Sequence, residues 1–281
     1  MIKRFCSLPI VLLALFGCTS IERSFLPNAA LADPHWQQAQ TSQGTVDHDA
    51  WDHFLGRYVA PDDKGVNRVD YAAVTDEDRA ALDAYIARLE ATEVTALPRA
   101  EQFAFWVNLY NAKTVAVVLD HYPVESIRKI DSGFFDPGPW DEERLTVEDR
   151  ALSLDDIEHR ILRPVFADPR VHYVLNCAAS GCPNLGREAY RGEDLEERLE
   201  AAARAYINSP RGVSVDERGA LTVSKIYSWF KEDFGDTDAA VLDHIRRYAE
   251  TGLRTRLDNR TDIDHYEYDW SLNDVRRRPP P

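Results

Sequence analysis

Val171-His172-Tyr173-Val174-Leu175-Asn176-Cys177-Ala178-Ala179-Ser180-Gly181-Cys182-Pro183-Asn184-Leu185 is the stretch around which the rest of the chain is read. It begins as an apolar, β-branched run, which predicts a short buried strand. Ala-Ala-Ser-Gly then supplies small residues suited to a tight connection. Proline is favoured at the first position of a helix, so Pro183 predicts a helix start with Cys182 as its N-cap. A thiol there faces unpaired N–H groups and the positive end of the helix dipole, which favours thiolate over thiol. His172 on the preceding strand would return near the sulfur. Thiol, base and helix N-terminus are the parts of a thiol nucleophile. The plainer alternatives are a Cys177–Cys182 disulfide, two small buried hydrophobes, and an ordinary half-buried histidine.

The chain has 281 residues, 44% of them hydrophobic and 10% aromatic, enough for a substantial core. Its formal charge of −15 argues against nucleic acid and against adsorption on anionic lipid. Lys3 and Arg4, followed by apolar Leu8 to Phe16, predict an export leader. Leu15-Phe16-Gly17-Cys18 reads as a lipobox, so residues 1–18 are a lipoprotein signal with lipid on Cys18. Cleavage after Ala30-Leu31-Ala32 is the competing site. Thr19 favours an outer-membrane anchor facing the periplasm, held by lipid and not by a spanning helix. Cys6 leaves with the leader, so Cys177 and Cys182 are the cysteines of the body.

Residues 19–46 read as a flexible tether, 47–274 as a single globular domain, and 275–281 as a disordered tail. Helices are predicted over Asp47–Tyr58, Thr75–Thr92, Pro98–His121, Pro123–Ile130, Ser153–Pro164, Glu193–Asn208, Lys225–Phe234 and Asp238–Glu250. The third is apolar on nearly every side and should be the central buried helix. Asn108 and Asn111 within it need hydrogen-bond partners, either to pin loops or, for Asn111, to position the base or meet an oxyanion. Strands are expected at Val66–Tyr71, in a hairpin across Asp216–Gly219, and at Ile263–Trp270. Phe134, Phe135 and Trp140 sit on a Pro/Gly-rich loop that could wall a groove. Glu158 lies on the apolar face of its helix, where it could pair with Arg163 or Arg170, or orient His172. The fold class is therefore α+β: one helix-rich domain with a small antiparallel sheet. Scattered histidines offer no metal-ligand spacing, and no cofactor is expected.

Five ordered blocks carry a resemblance. They are Phe105–Asn111, Leu154–His159, His172–Leu185, Ser224–Phe234 and Tyr268–Asn273. Together they resemble domain-of-unknown-function family 547 over roughly Asp47 to Asn273. The resemblance implies a papain-like or transglutaminase-like fold in circularly permuted order, with a Glu-His-Cys site at Glu158, His172 and Cys182. Some eukaryotic relatives lack the second cysteine, which leaves Cys177 as an alternative nucleophile. The expected activity is a cell-envelope thiol hydrolase or acyltransferase acting on a peptide, cell-wall or acyl substrate. The alternative is a non-catalytic envelope scaffold with a Cys177–Cys182 disulfide.

Overall fold

The computed structural model describes residues 28–31, 33–41, 44–130 and 138–276. The leader with Cys18, Phe134, Phe135 and the last five residues lie outside these. Among the described residues the fold is α+β, with about half the chain helical and only short strands.

Helix α1 (Asp49–Tyr58) buries Trp51, Phe54, Leu55 and Tyr58 along one side. The chain then turns through β1 (Val59–Pro61) and antiparallel β2 (Asn67–Val69). Thr75 caps α2 (Asp76–Glu90) by accepting the Asp78 amide, and three acidic residues fill its first turn. Helix α3 (Arg99–His121) is the spine. Phe103 to Ala112 are all buried, because neighbouring elements enclose it on every side.

Asn108 and Asn111 explain how amides survive in that spine. Asn108 donates to the Tyr190 carbonyl at 2.8 Å and accepts the Tyr190 amide at 3.0 Å. Asn111 donates to the Val174 carbonyl at 2.9 Å and accepts the Asn176 amide at 2.8 Å. Each amide therefore staples an irregular segment that has no ladder of its own. The Asn111 staple holds the approach to Cys177. Asn111→Ala would leave two buried backbone groups unpaired, at roughly 1–3 kcal/mol each. Urea unfolding should show a loss of about that size, and an unchanged midpoint would mean the segment finds other partners.

Antiparallel β3 (Leu145–Val147) and β4 (Arg150–Leu152) precede a capping box, in which Ser153 accepts the Asp156 amide and Asp156 accepts from Ser153. The helix that follows is wound wide over Asp156–Leu162 and tightens into α4 (Arg163–Phe166). Helix α5 (Leu195–Ile207) packs on the following half. There β5 (Val213–Val215) and β6 (Leu221–Ser224) form the expected hairpin, and β7 (His265–Glu267) adds to β6 in parallel. Short α6 (Ile226–Trp229), α7 (Asp238–Tyr248) and α8 (Thr251–Leu257) complete the body. Ala202 on α5 packs against both apolar clusters of the core.

Several expectations change. Val171–Tyr173 is not a strand: Pro169–Tyr173 is a tight 3-10 turn, started by Asp168 accepting the Arg170 amide. No helix starts at Pro183; the next is α5 at Leu195, so Cys182 is not an N-cap. Pro123–Ile130 yields only a 3-10 turn at Ile127–Lys129. Lys225–Phe234 breaks after Trp229 into a second, 3-10 turn, and α8 was not expected. Trp36, within the segment read as a tether, is buried edge-on against Trp106, 5.1 Å between ring centres. None of the described helices is long and apolar enough to cross a membrane.

Candidate active site

The segment Asn176–Pro183 is a closed loop, and its closure follows from its sequence. The Asn176 side chain accepts the Ala178 amide at 2.9 Å and donates to the Pro183 carbonyl at 2.8 Å, joining both ends. Ala178 adopts a left-handed conformation, φ 58°, which turns the chain back on itself. The C-terminal segment lies along the loop. The amides of Ser180 and Gly181 donate to the carbonyls of Ser271 and Asp269, and the Asn273 amide donates to the Ala178 carbonyl. Gly181 is required for this approach, since a Cβ there would stand 2.8 Å from the Asp269 nitrogen and 3.1 Å from the Tyr268 ring.

The result places two sulfurs side by side. Cys177 and Cys182 are free thiols with Sγ atoms 2.6 Å apart. The Tyr268 hydroxyl lies 3.0 Å from Cys182 Sγ and 3.2 Å from Cys177 Sγ. The Cys177 amide donates to Cys182 Sγ at 3.1 Å. Cys182 is 1% exposed, whereas Cys177 is half-buried. Burial opposes charge on Cys182, but hydrogen bonds from Cys177, from Tyr268 and from the backbone outweigh it and hold its pKa down. Cys177 is pushed up by its hydrogen bond to Cys182, by burial and by the neighbouring charges. The Cys182 sulfur is thus the favoured seat of a negative charge and Cys177 the favoured seat of a proton. Arg211 adds a cation behind the loop, donating to the Cys182 carbonyl at 2.5 Å and to the Asn184 side chain at 2.6 Å.

His172 and Glu158 meet in a second cluster. The His172 ring has Nδ1 3.7 Å from Glu158 and Nε2 2.7 Å from Asp233, and it stacks flat on Phe230 at 4.2 Å. Arg163, almost fully buried, binds Asp233 at 2.6 Å and Glu232 at 2.7 Å. Of the partners considered for Glu158, His172 meets its carboxylate through Nδ1, and Arg163 lies in its field. Arg170 turns to Asp168, Glu196 and Glu200 instead. Glu158 is half-buried, which favours its neutral form, yet the neighbouring imidazoles and Arg163 hold its pKa down to about 2. Burial likewise opposes the Asp233 charge, and His172 and Arg163 win, leaving it near 2.

The structure therefore joins Glu158 to His172 and Cys182 to Cys177, but neither nitrogen of His172 is hydrogen-bonded to a sulfur. Tyr110 lies in the field of both groups, with Glu158, Cys177 and Cys182 all raising its pKa alongside its burial. Asn111 has both ends of its amide engaged by the backbone that leads into the loop. Asp233 and Tyr268 were not singled out from sequence. Each sits within one of the five blocks, 61 residues from His172 and 86 from Cys182, and membership of those blocks was the available signal. Among the described residues, no group of three or more His, Cys, Asp or Glu side chains is arranged to hold a metal ion.

This is a single-domain α+β protein with a paired-thiol loop beside a carboxylate–imidazole–arginine cluster. A family model described as "Protein of unknown function, DUF547" matches residues 94–207, from the turn before α3 to the end of α5. The match supports assigning that segment, which includes Asn111, Glu158, His172 and both cysteines, to this domain family. No curated protein and no solved structure matches the chain.

Proposed function

We propose that the protein is a cell-envelope thiol hydrolase or acyltransferase acting on an amide or ester, with Cys177 rather than Cys182 as the sulfur that meets the substrate. The observation that carries this reading is the division of labour in the pair: Cys177 is the half-buried, less enclosed residue and touches a buried Cys182 surrounded by donors. As Cys177 attacks the carbonyl, its proton passes to the Cys182 sulfur and from there to the leaving group. Water then releases the acyl group from Cys177, or an acceptor nucleophile takes it. Glu158, whose charge reaches Cys177, and His172 beside it act as an electrostatic support in this scheme. For His172 to be the base, its ring must leave Asp233.

The envelope setting rests on the leader reading, with lipid on Cys18 as the only attachment to the membrane. The substrate is then a peptide, a cell-wall cross-link or an acyl ester. A second reading, the non-catalytic scaffold, is favoured by the contact between the sulfurs and by the burial of Cys182.

The test is acylation by p-nitrophenyl acetate, read by peptide mass mapping. An acetyl adduct is expected on Cys177, absent in Cys177→Ser and formed at least about tenfold more slowly in Cys182→Ser. His172→Ala should leave the adduct in place, and its loss there would move the base role to His172. A wild-type protein that never acquires the adduct excludes the hydrolase reading and leaves the scaffold.

A further inference from the structure

We infer that the Cys177–Cys182 pair exchanges electrons with low-molecular-weight disulfides, Cys177 capturing one half of the disulfide and Cys182 resolving it. The inference goes beyond acyl chemistry and holds whether or not the pair also cleaves acyl bonds.

It rests on placement. A mixed disulfide on Cys177 would carry its inner sulfur to within 2.6 Å of Cys182 Sγ, with no chain closure left to perform. The Asn176 clamp holds both ends of the loop, and the segment from Tyr268 to Asn273 holds its back, so the two sulfurs cannot drift apart. Prepositioning of this kind turns a bimolecular capture into a fast internal step. Cys182 is shielded from solvent, so an external disulfide reaches Cys177 first. The half-burial of Cys177, with Trp229 and Trp270 packed on Tyr268 beside it, selects small disulfides over protein ones.

The steps balance. Cys177 sulfur attacks one sulfur of the disulfide RSSR, the S–S bond breaks, and the departing RS⁻ takes the Cys177 proton to leave as RSH. The Cys182 thiolate then attacks the Cys177 sulfur and expels the second RS⁻. That thiolate takes from water the proton that Cys182 had released on ionising. The two cysteines lose two electrons and become a disulfide; RSSR gains them and becomes two RSH. The Tyr268 hydroxyl, within reach of both sulfurs, follows the charge as it moves between them. A reducing thiol runs the sequence backwards. While the bridge persists, Cys177 has no free sulfur for acylation.

The experiment treats the reduced full-length protein with glutathione disulfide, quenches with acid, alkylates, and maps the peptides by mass. The wild type should lose both thiols to a Cys177–Cys182 bridge with no lasting glutathione adduct, and dithiothreitol should restore both. Cys182→Ser should stop at glutathione on Cys177, and Cys177→Ser should take up none. Tyr268→Phe keeps both sulfurs and should slow the resolving step about tenfold, which tests the arrangement even where a cysteine variant fails to fold. A stable glutathione adduct on wild-type Cys177, or two thiols that survive the treatment unchanged, overturns the inference. Acetylation measured on the same preparation keeps the two proposals apart. A bridge without an acetyl adduct sinks only the hydrolase, and an adduct without a bridge sinks only the exchange.

Discussion

Taking the protein from pH 6.5 down to 4 is expected to remove several kcal/mol from its folding free energy, through three buried histidines that fold as neutral rings. Burial is the main cause of the depression in each case, and His48, His159 and His244 are all held down to about 4 from an ordinary 6.5. Their surroundings show why a second ring proton is unwelcome. At His48, Nε2 faces the Asn108 amide donor at 3.3 Å while Nδ1 meets the Tyr85 hydroxyl at 2.7 Å. At His159, Nδ1 faces an Arg163 donor at 3.1 Å. At His244, Nε2 meets the Tyr173 hydroxyl at 2.9 Å among stacked aromatics, with Arg247 adding repulsion.

The direction follows from which state binds more protons. Between pH 6.5 and 4 the unfolded chain protonates these rings and the folded one does not, so stability is full above 6.5 and falls as pH drops towards 4. Each pKa unit corresponds to about 1.4 kcal/mol, so each ring contributes on the order of 3 kcal/mol at most. Urea unfolding at a series of pH values measures the slope. Replacing His244 with Phe, which stacks equally well but takes no proton, should flatten the curve by about a third. A flat wild-type curve across this window would mean that these rings are solvated or already charged in the fold.

These rings also mark how far the sequence could be read. Helix α3 was legible because an unbroken run such as Phe103 to Val107 has no polar side to show to water, so only enclosure suits it. The hairpin was legible because Asp216–Gly219 interrupts two apolar strands with turn residues. The candidate loop was legible in composition but not in form. Its β-branched start promised a strand, yet the Val174 carbonyl and Asn176 amide are taken by Asn111, from a helix more than sixty residues away. Pro183 promised a helix and a dipole for Cys182. The donors at that sulfur come instead from Cys177 inside the loop and from Tyr268, 86 residues on. His172 was expected as the base beside the sulfur, with Glu158 left open between two arginines and that ring; the ring lies against Glu158. Asp233, which takes the other nitrogen, lies on a turn whose place beside the ring only the tertiary fold defines. Local pattern thus names the reactive residues, while long-range contacts decide which of them meet.

Arg163→Met should be the most damaging single change at the site, lowering stability by about 3–5 kcal/mol. The guanidinium is buried, with only 1% of its side chain exposed, and it binds Asp233 and Glu232 while also facing Nδ1 of His159 and the ring of Phe230. Methionine matches much of its bulk but leaves the Asp233 carboxylate with His172 alone. The loss is therefore that of the main cation beside a half-buried carboxylate rather than a cavity. Arg163→Lys should recover little, because one ammonium cannot span two carboxylates and a ring nitrogen as the planar fork does. The pH dependence supplies a second readout. The depressed Asp233 contributes stability that is present above the unfolded carboxylate range, near 4, and lost as pH falls towards 2. Without Arg163 that depression shrinks, so the acid limb below about pH 4 should flatten along with the overall loss. A variant within about 1 kcal/mol of wild type by urea unfolding, with its acid limb intact, would show that His172 alone balances Asp233 and that the arginine is dispensable there.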